Sequence, residues 1–295
     1  MAAVKKRILL KELDQLCARN KDGSFSTQAA RKAVLIQAGK QLLESGFRNI
    51  GADSLRKKHI DVLLDRWSSE GLSAATIKNR VAHLRWWAEK INKQNILPRT
   101  NAELGIEKRK YVTNESKAVL IDEKQLSKIK DNRLRISIEL QKAFGLRREE
   151  CLKFQPNYAV SSSDNSIRLK ATWCKGGRER IVPITNDYQR SILQKALQVA
   201  GAGSMIPPNE KYIQRLKKYE NAVNRAGLSK LHGLRHEYAQ KRYLELTGWQ
   251  APACGGPSSR QLDEEQRKID FSARMKISAE LGHGRESITA VYLGR

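Results

Sequence analysis

Apolar positions recur at helical spacing through most of the chain, and the elements change where that spacing breaks. In residues 26–46, STQAARKAVLIQAGKQLLESG, a capping serine opens the segment, Val34, Ala38 and Leu42 fall on one face, and a glycine closes it. That pattern predicts a helix. A second helix is predicted from about residue 53, with Leu55, Ile60, Leu63, Leu64 and Trp67 ahead of Gly71. A third starts near Ser73 and carries Ala74, Ile77, Val81, Leu84 and Trp87. Residues 1–95 are therefore expected to form a helical bundle.

From residue 92 to 118 the periodicity is lost, and Pro98, Gly105 and the run Lys108, Arg109, Lys110 mark residues 96–117 as a basic interdomain linker. Helical patterning resumes at Asp122 and continues through Leu134, Ile138 and Leu140 to Gly145, opening a second domain over residues 118–295. Between 158 and 184 the character changes, because SIRLKATW and RERIVPI are β-like runs on either side of CKGG. This reads as a hairpin with Lys175 at its tip. Helical segments return at about 187–200, 209–226 and 232–246. The polar, irregular residues 248–268 then read as an inserted loop, and short helical patterns at 272–281 and 285–292 close the chain. The fold class that follows is mainly α, with a helical N-terminal domain and a mostly α second domain that holds a small antiparallel β-sheet.

Charge changes the picture from fold to partner. Fifty-six Lys and Arg against 31 Asp and Glu give a formal net charge of +25. A polyanion is implied, and nucleic acid fits best, since a basic surface releases condensed counterions when it docks on phosphates. On the third predicted helix Lys78, Arg80 and Arg85 alternate with apolar positions, so its basic side is a candidate DNA contact, with a merely solvated face as the open alternative. The run Lys108, Arg109, Lys110 is a second candidate. Cys17, Cys151, Cys174 and Cys254 form no CxxC pair, which suggests neither a zinc site nor a disulfide framework. The apolar run at the N-terminus is too short for a signal peptide and no window is apolar enough to span a bilayer, so cytoplasmic residence is expected.

Three stretches carry candidate chemistry, none of it convincing alone. AFGLRREECLKF sets Arg147 after a helix-ending glycine with Glu150 three residues on, a spacing that lets the carboxylate steady the guanidinium; a surface ion pair is the plainer reading. LHGLRHEYAQ places His232 and Arg235 one helical turn apart, able to converge on one anion, although an HxxR match is common by chance. LGHGRESITAVYLGR offers His283 followed nine residues later by Tyr292, with Gly284 permitting a turn between two short helices. A lone tyrosine is ordinarily packing.

The order GLRRE, CKGGRERIVPI, HGLRH, LGH and then tyrosine resembles the catalytic domain of tyrosine recombinases, also called phage-type integrases, over residues 118–295. The helical domain with its TIKNRVAHLR stretch resembles that family's SAM-like core-binding domain. The resemblance implies a DNA breaking-rejoining fold and a catalytic set of Arg147, Lys175, His232, Arg235, His283 and the nucleophile Tyr292, with Glu150 as an acidic support residue. It implies double-stranded DNA as partner, a dimer on one site, a tetramer in the synaptic complex and an accessory directionality factor, with no cofactor and no metal.

Those residue types suit the reaction. Negative charge grows on the phosphodiester oxygens in the transition state, and paired hydrogen bonds from Arg147 and Arg235 are suited to meet it, each worth on the order of 3 kcal/mol. His232 and His283 are suited to manage the tyrosine proton, and Lys175 to protonate the departing 5′ oxygen. A 3′-phosphotyrosine conserves the bond energy, so a 5′-hydroxyl reseals the strand without ATP. The interval from Arg235 to His283 is long for the family, with residues 248–268 as the insertion: a contact with DNA or a neighbour, or a neutral surface loop. Because only Leu293, Gly294 and Arg295 follow Tyr292, the nucleophile is expected near a free chain end, placed by the Gly284 turn, the last short helix and a partner subunit. A type IB topoisomerase and a noncatalytic DNA-binding accessory protein are the competing readings. The TIKNRVAHLR domain argues against the first and retention of all six positions against the second.

Overall fold

Ser24 and Ser73 each accept a hydrogen bond from the backbone N–H three residues on, and these caps start α2 (Phe25–Glu44) and α4 (Ala74–Lys90). The computed structural model describes residues 2–108, 111–160 and 165–295 and divides into two units, residues 1–110 and 111–295. In the first unit α1 (Ala2–Arg19), α2, α3 (Lys57–Ser69) and α4 bury Leu35, Leu42, Leu63, Trp67, Val81, Leu84 and Trp87 in a common core. The two central indoles find polar partners there: Trp67 Nε1 donates to Gln41 Oε1 at 2.9 Å and Trp87 Nε1 to the Ala52 carbonyl at 2.7 Å. Helix α1 was not signalled by the apolar pattern. It is held by a short stripe, Leu9 and Leu13, which packs on α2 where Gly39 leaves room for it.

The expected basic side of α4 is not an open row. Arg85 donates from Nε to the Pro98 carbonyl (3.0 Å), from Nη1 to Asn101 Oδ1 (2.8 Å) and from Nη2 to the Thr100 carbonyl (3.1 Å). It fastens the segment after the helix rather than facing solvent. Arg80 lies over the Trp67 ring, 5.1 Å from its centroid, and Lys78 is half-buried. Helix-face reasoning ran ahead here because it sees neither the returning loop nor the indole. Of the second basic run, Lys108 is exposed, whereas Arg109 and Lys110 lie outside the described residues.

The second unit is built on α6 (Asn132–Phe144), capped by Asp131 and entered from the short α5 (Glu123–Ser127). The chain continues through α7 (Arg148–Lys153) and α8 (Pro156–Val160) into β1 (Ser166–Leu169) and β2 (Arg180–Pro183), which pair antiparallel with Leu169 opposite Arg180. The strands are shorter than the β-like runs that announced them. Trp173 turns into the core beneath Phe154 and Tyr158, so Ala171–Trp173 becomes a single 3₁₀ turn instead of strand. Helices α9 (Asp187–Ala200), α10 (Tyr212–Arg225) and α11 (Gly233–Thr247) follow as the pattern predicts.

The supposed insertion is only partly loop. Asp263 and Gln266 form a reciprocal capping box, so α12 (Glu264–Glu280) begins eight residues before the predicted 272. The remaining stretch is packed, not loose: Ala251 is fully buried, and Trp249 Nε1 donates to the Tyr243 hydroxyl at 3.1 Å. α13 (Glu286–Leu293) is the last element, followed by Gly294 and Arg295. The architecture is therefore mainly helical with one two-stranded antiparallel sheet, and among the described residues no helix is long and apolar enough to cross a membrane.

Arg85→Ala should remove three internal hydrogen bonds and lower the stability of the first unit by about 1–3 kcal/mol. Urea unfolding followed by tryptophan fluorescence measures this, and a loss within about 0.5 kcal/mol, as for an ordinary surface position, would contradict it.

Candidate active site

Four separated segments build the site, and each is locked by a local feature of the sequence. Helix α6 stops at Gly145, which adopts the left-handed conformation (φ 59°). A β-carbon there would lie 2.6 Å from Tyr238 Cδ1 and 3.0 Å from Leu281 Cδ2, so glycine alone lets α11 and α12 close on this turn. Arg147 caps α7: its backbone N–H donates to Glu150 Oε2 at 2.6 Å and its Nη1 to Oε1 at 2.9 Å.

Glu150 is fully buried, and Arg180 of β2 grips it from the other side with Nη1 to Oε1 at 2.8 Å and Nη2 to Oε2 at 2.7 Å. Burial works to raise the Glu150 pKa, but hydrogen bonds and charge from Arg180, the Arg147 N–H and the charge of Arg235 outweigh it and hold the pKa at about 2. The carboxylate is a permanent anion among arginines.

His232 precedes the first turn of α11, and Arg235 lies one turn further in, 1% exposed. Arg235 donates from Nε to the Tyr292 hydroxyl (3.2 Å) and from Nη1 to the Gly145 carbonyl (2.5 Å). Its Nη2 reaches the Leu281 carbonyl and lies 3.2 Å from His283 Nε2. Burial, aided by the charge of Arg147 and opposed by Tyr292, lowers its pKa to about 10, which leaves it cationic at neutral pH. After α12 the chain reverses at Gly282. The His283 N–H donates to the Ser278 carbonyl (2.7 Å), while Ser278 Oγ donates back to the carbonyls of His283 and Arg285 (3.1 Å each).

The Tyr292 hydroxyl on α13 then sits 3.4 Å from His283 Nε2, 3.5 Å from His232 Nε2 and 3.2 Å from Arg235 Nε. Burial and the neighbouring arginines push the imidazoles down, His283 to about 3. Neutral imidazoles therefore face the phenol, with a ring nitrogen of each at hydrogen-bond distance from its oxygen.

Of the six expected catalytic residues the structure gathers His232, Arg235, His283 and Tyr292 around one oxygen and sets Arg147 beside them through Glu150. Lys175 is placed differently. It sits exposed on a turn where Gly176 and Gly177 take positive φ, and among the described residues it hydrogen-bonds to none of the other five. The turn itself is tethered, since Cys174 Sγ accepts from Arg180 Nη1 at 3.2 Å.

Several residues of this neighbourhood escaped the sequence. Arg180 is one; an arginine at an inward-facing strand position was the available signal. His236, one residue past Arg235, packs its ring 4.6 Å from that of Tyr292, and burial followed by the charges of His232 and Lys117 lowers its pKa to about 4. The expectation of a nearly free chain end is corrected. Gln240 Nε2 donates to the Tyr292 carbonyl (3.0 Å), Arg274 Nη1 donates to the Gly294 carbonyl (2.9 Å), and Asn114 exchanges two hydrogen bonds with the Arg295 backbone (2.8 and 2.9 Å). These holds come from α11, α12 and the segment around Asn114 of the same chain. Among the described residues no cluster of three or more His, Cys, Asp or Glu is placed to hold a metal ion.

Comparison with known proteins places the chain's fold and family. A family model described as phage integrase, N-terminal, matches residues 7–96, and one described as integrase matches residues 106–241. No curated protein matches by sequence. Among solved structures, a λ integrase (75–356) dimer bound to a COC′ core site aligns with TM-score 0.61 at 18% identity, covering 97% of this chain and 96% of that one. The XerH site-specific recombinase in a post-cleavage complex with a palindromic difH substrate aligns with TM-score 0.60 at 18% identity, over 97% of this chain and 81% of that one. The Tn1549 transposon integrase (82–397) with circular intermediate DNA gives TM-score 0.55 at 15% identity, over 96% and 95%. At these identities the likeness establishes the fold.

All five histidines titrate below their ordinary value in the folded chain. The unfolded chain therefore binds more protons than the folded one once pH falls below about 6.5, so stability is full above that point and is lost on acidification. His236 and His283 together should remove about 2–4 kcal/mol between about pH 8 and pH 5. Urea midpoints across that range test this, and a flat profile would refute it.

Proposed function

We propose that this chain, a member of the phage-type integrase family by its matched N-terminal and integrase domains, is a tyrosine-type site-specific recombinase that cleaves and rejoins double-stranded DNA through Tyr292. The observation that carries the reading is the convergence of His232, Arg235 and His283 on the Tyr292 hydroxyl, all within 3.5 Å.

The steps follow from the geometry. The phenol oxygen attacks phosphorus, its proton passes to a neutral imidazole, His283 or His232, and the 5′ oxygen leaves as the 3′-phosphotyrosine forms. Arg235 has one Nη1 hydrogen uncommitted after its bonds to Tyr292, Gly145 and Leu281, and that hydrogen is the donor for a nonbridging oxygen. Arg147 supplies a second guanidinium at a fixed angle set by Glu150. Lys175, on its exposed turn, reaches the leaving group once DNA lies across the site and protonates it. The 5′-hydroxyl of a second strand then reverses the attack.

The assemblies of λ integrase, a dimer on a core site and a tetramer on a Holliday junction, suggest the working stoichiometry here: two protomers per site and four in the paired complex. The mobile-element integrase among the structural neighbours points toward integration and excision of such an element, carried out in the compartment that holds the DNA, the cytoplasm.

A nicked suicide duplex cut from the DNA flanking the encoding gene should trap a covalent adduct with the native chain and none with Tyr292→Phe; an adduct with the variant would remove Tyr292 from the mechanism. Arg235→Ala should slow adduct formation by about 10²–10³-fold or more, as for loss of a transition-state donor. Unchanged cleavage would exclude Arg235 from the phosphate.

A further inference from the structure

Arg180 lies outside the set that converges on Tyr292. Its side chain is 5% exposed at the start of β2, and its bonds reach three separate parts of the site. Nη1 and Nη2 hold the Glu150 carboxylate that fixes Arg147. Nη1 also reaches Cys174 Sγ at 3.2 Å, the residue immediately before Lys175. Nε donates to the Glu280 carbonyl at 2.8 Å, three residues before His283. Its aliphatic stem fills the space over Gly282, where a β-carbon would lie 3.0 Å from Arg180 Cδ.

A buried ion pair is a poor route to stability alone, because desolvating two charges costs several kcal/mol that an apolar pair avoids. What this pair provides instead is geometry. One planar guanidinium has fixed angles among its donors, so α7, the 174–177 turn and the end of α12 cannot shift independently while all its bonds are kept.

We propose that Arg180 is a positioning residue that sets the Lys175 turn in register with Arg147, so that the leaving-group acid and the phosphate clamp meet the same phosphodiester. This rests on the recombinase reading. Arg180 makes no hydrogen bond to Tyr292; it acts through Glu150 and Cys174.

The test compares suicide duplexes from the flanking DNA carrying either the natural 5′ oxygen or a bridging 5′ sulfur, whose departure needs no acid. Lys175→Ala sets the benchmark: slowed about 10²–10⁴-fold on oxygen and close to native on sulfur. Arg180→Met and Arg180→Lys should both lose at least about 10-fold more on oxygen than on sulfur, with DNA affinity within about 3-fold of native, because their Lys175 is present but misplaced. Arg180→Lys keeps the charge but has a single ammonium that cannot hold Glu150 and Cys174 together.

Equal losses on both substrates, the outcome for a merely structural arginine, would overturn the proposal. Hydrogen exchange on the protein alone gives an independent arm. The Gly177 N–H, bonded to the Cys174 carbonyl at 3.0 Å, and the His283 N–H, bonded to the Ser278 carbonyl at 2.7 Å, should both exchange faster in the Arg180 variants. Amides of the first unit should stay unchanged. If the two site amides keep native protection, the proposal fails. An absence of adduct with the native chain would sink the recombinase reading, while the exchange experiment still decides the role of Arg180.

Discussion

A buried carboxylate holds together a site that is otherwise assembled from cations. Arg147, Arg180 and Arg235 converge with two imidazoles in a volume largely closed to water, and without an anion among them their mutual repulsion would push the segments apart. Glu150 supplies that anion, fully buried and accepting four hydrogen bonds from Arg147 and Arg180. Its own desolvation is unfavourable by several kcal/mol, and only the completeness of its hydrogen bonding makes the arrangement tenable. In the proposed mechanism the guanidinium groups that would clamp a phosphate are thus fixed before any phosphate arrives, so little reorganisation remains for the reaction itself.

The same field divides labour among the side chains. Arginines stay charged in any reachable environment, so crowding them acts on the groups that can respond, and the imidazoles respond by losing their protons. His283, pressed by burial and by three arginines, becomes an acceptor aimed at the Tyr292 hydroxyl. The tyrosine in turn needs a defined place, and α13 is too short to define it alone. Bonds from Gln240, Arg274 and Asn114 to the backbone around and beyond Tyr292 supply what helix length does not. Fixed cations, neutral bases and an anchored nucleophile are thus one electrostatic solution rather than three separate features.

What was legible in the sequence is what is local. Gly145 with Arg147 and Glu150, and His232 with Arg235, each sit within a turn or a cap, where spacing along the chain fixes spacing in space; the turn before the last helix was read at Gly284, whereas the left-handed glycine is Gly282. Arg180 was silent because its partners are 30 and 100 residues away, and a strand pattern reports that a position faces inward but not what awaits it there. Arg85 is the opposite case: a helix face cannot show that a loop 13 to 16 residues on returns to bond with it. Helix α12 was read short because its capping box, Asp263 with Gln266, lies inside a stretch whose polar composition resembles a loop.

The candidate catalytic groups are not all built to the same rigidity, and that inequality has a physical origin. The tyrosine side of the site is core: Arg235 is 1% and Tyr292 5% exposed, each surrounded by packed helices. The leaving-group side hangs on a four-residue turn whose two glycines favour mobility and whose lysine faces solvent. A charged amine has no stable buried position beside so many arginines, since its ammonium would add to the repulsion that Glu150 already has to offset. It can be brought in only when a phosphate supplies further negative charge. In the proposed mechanism DNA is both the substrate and the counterion that completes the site, and a turn tethered at Cys174 yet exposed at Lys175 suits a group that is aimed before binding and engaged after it.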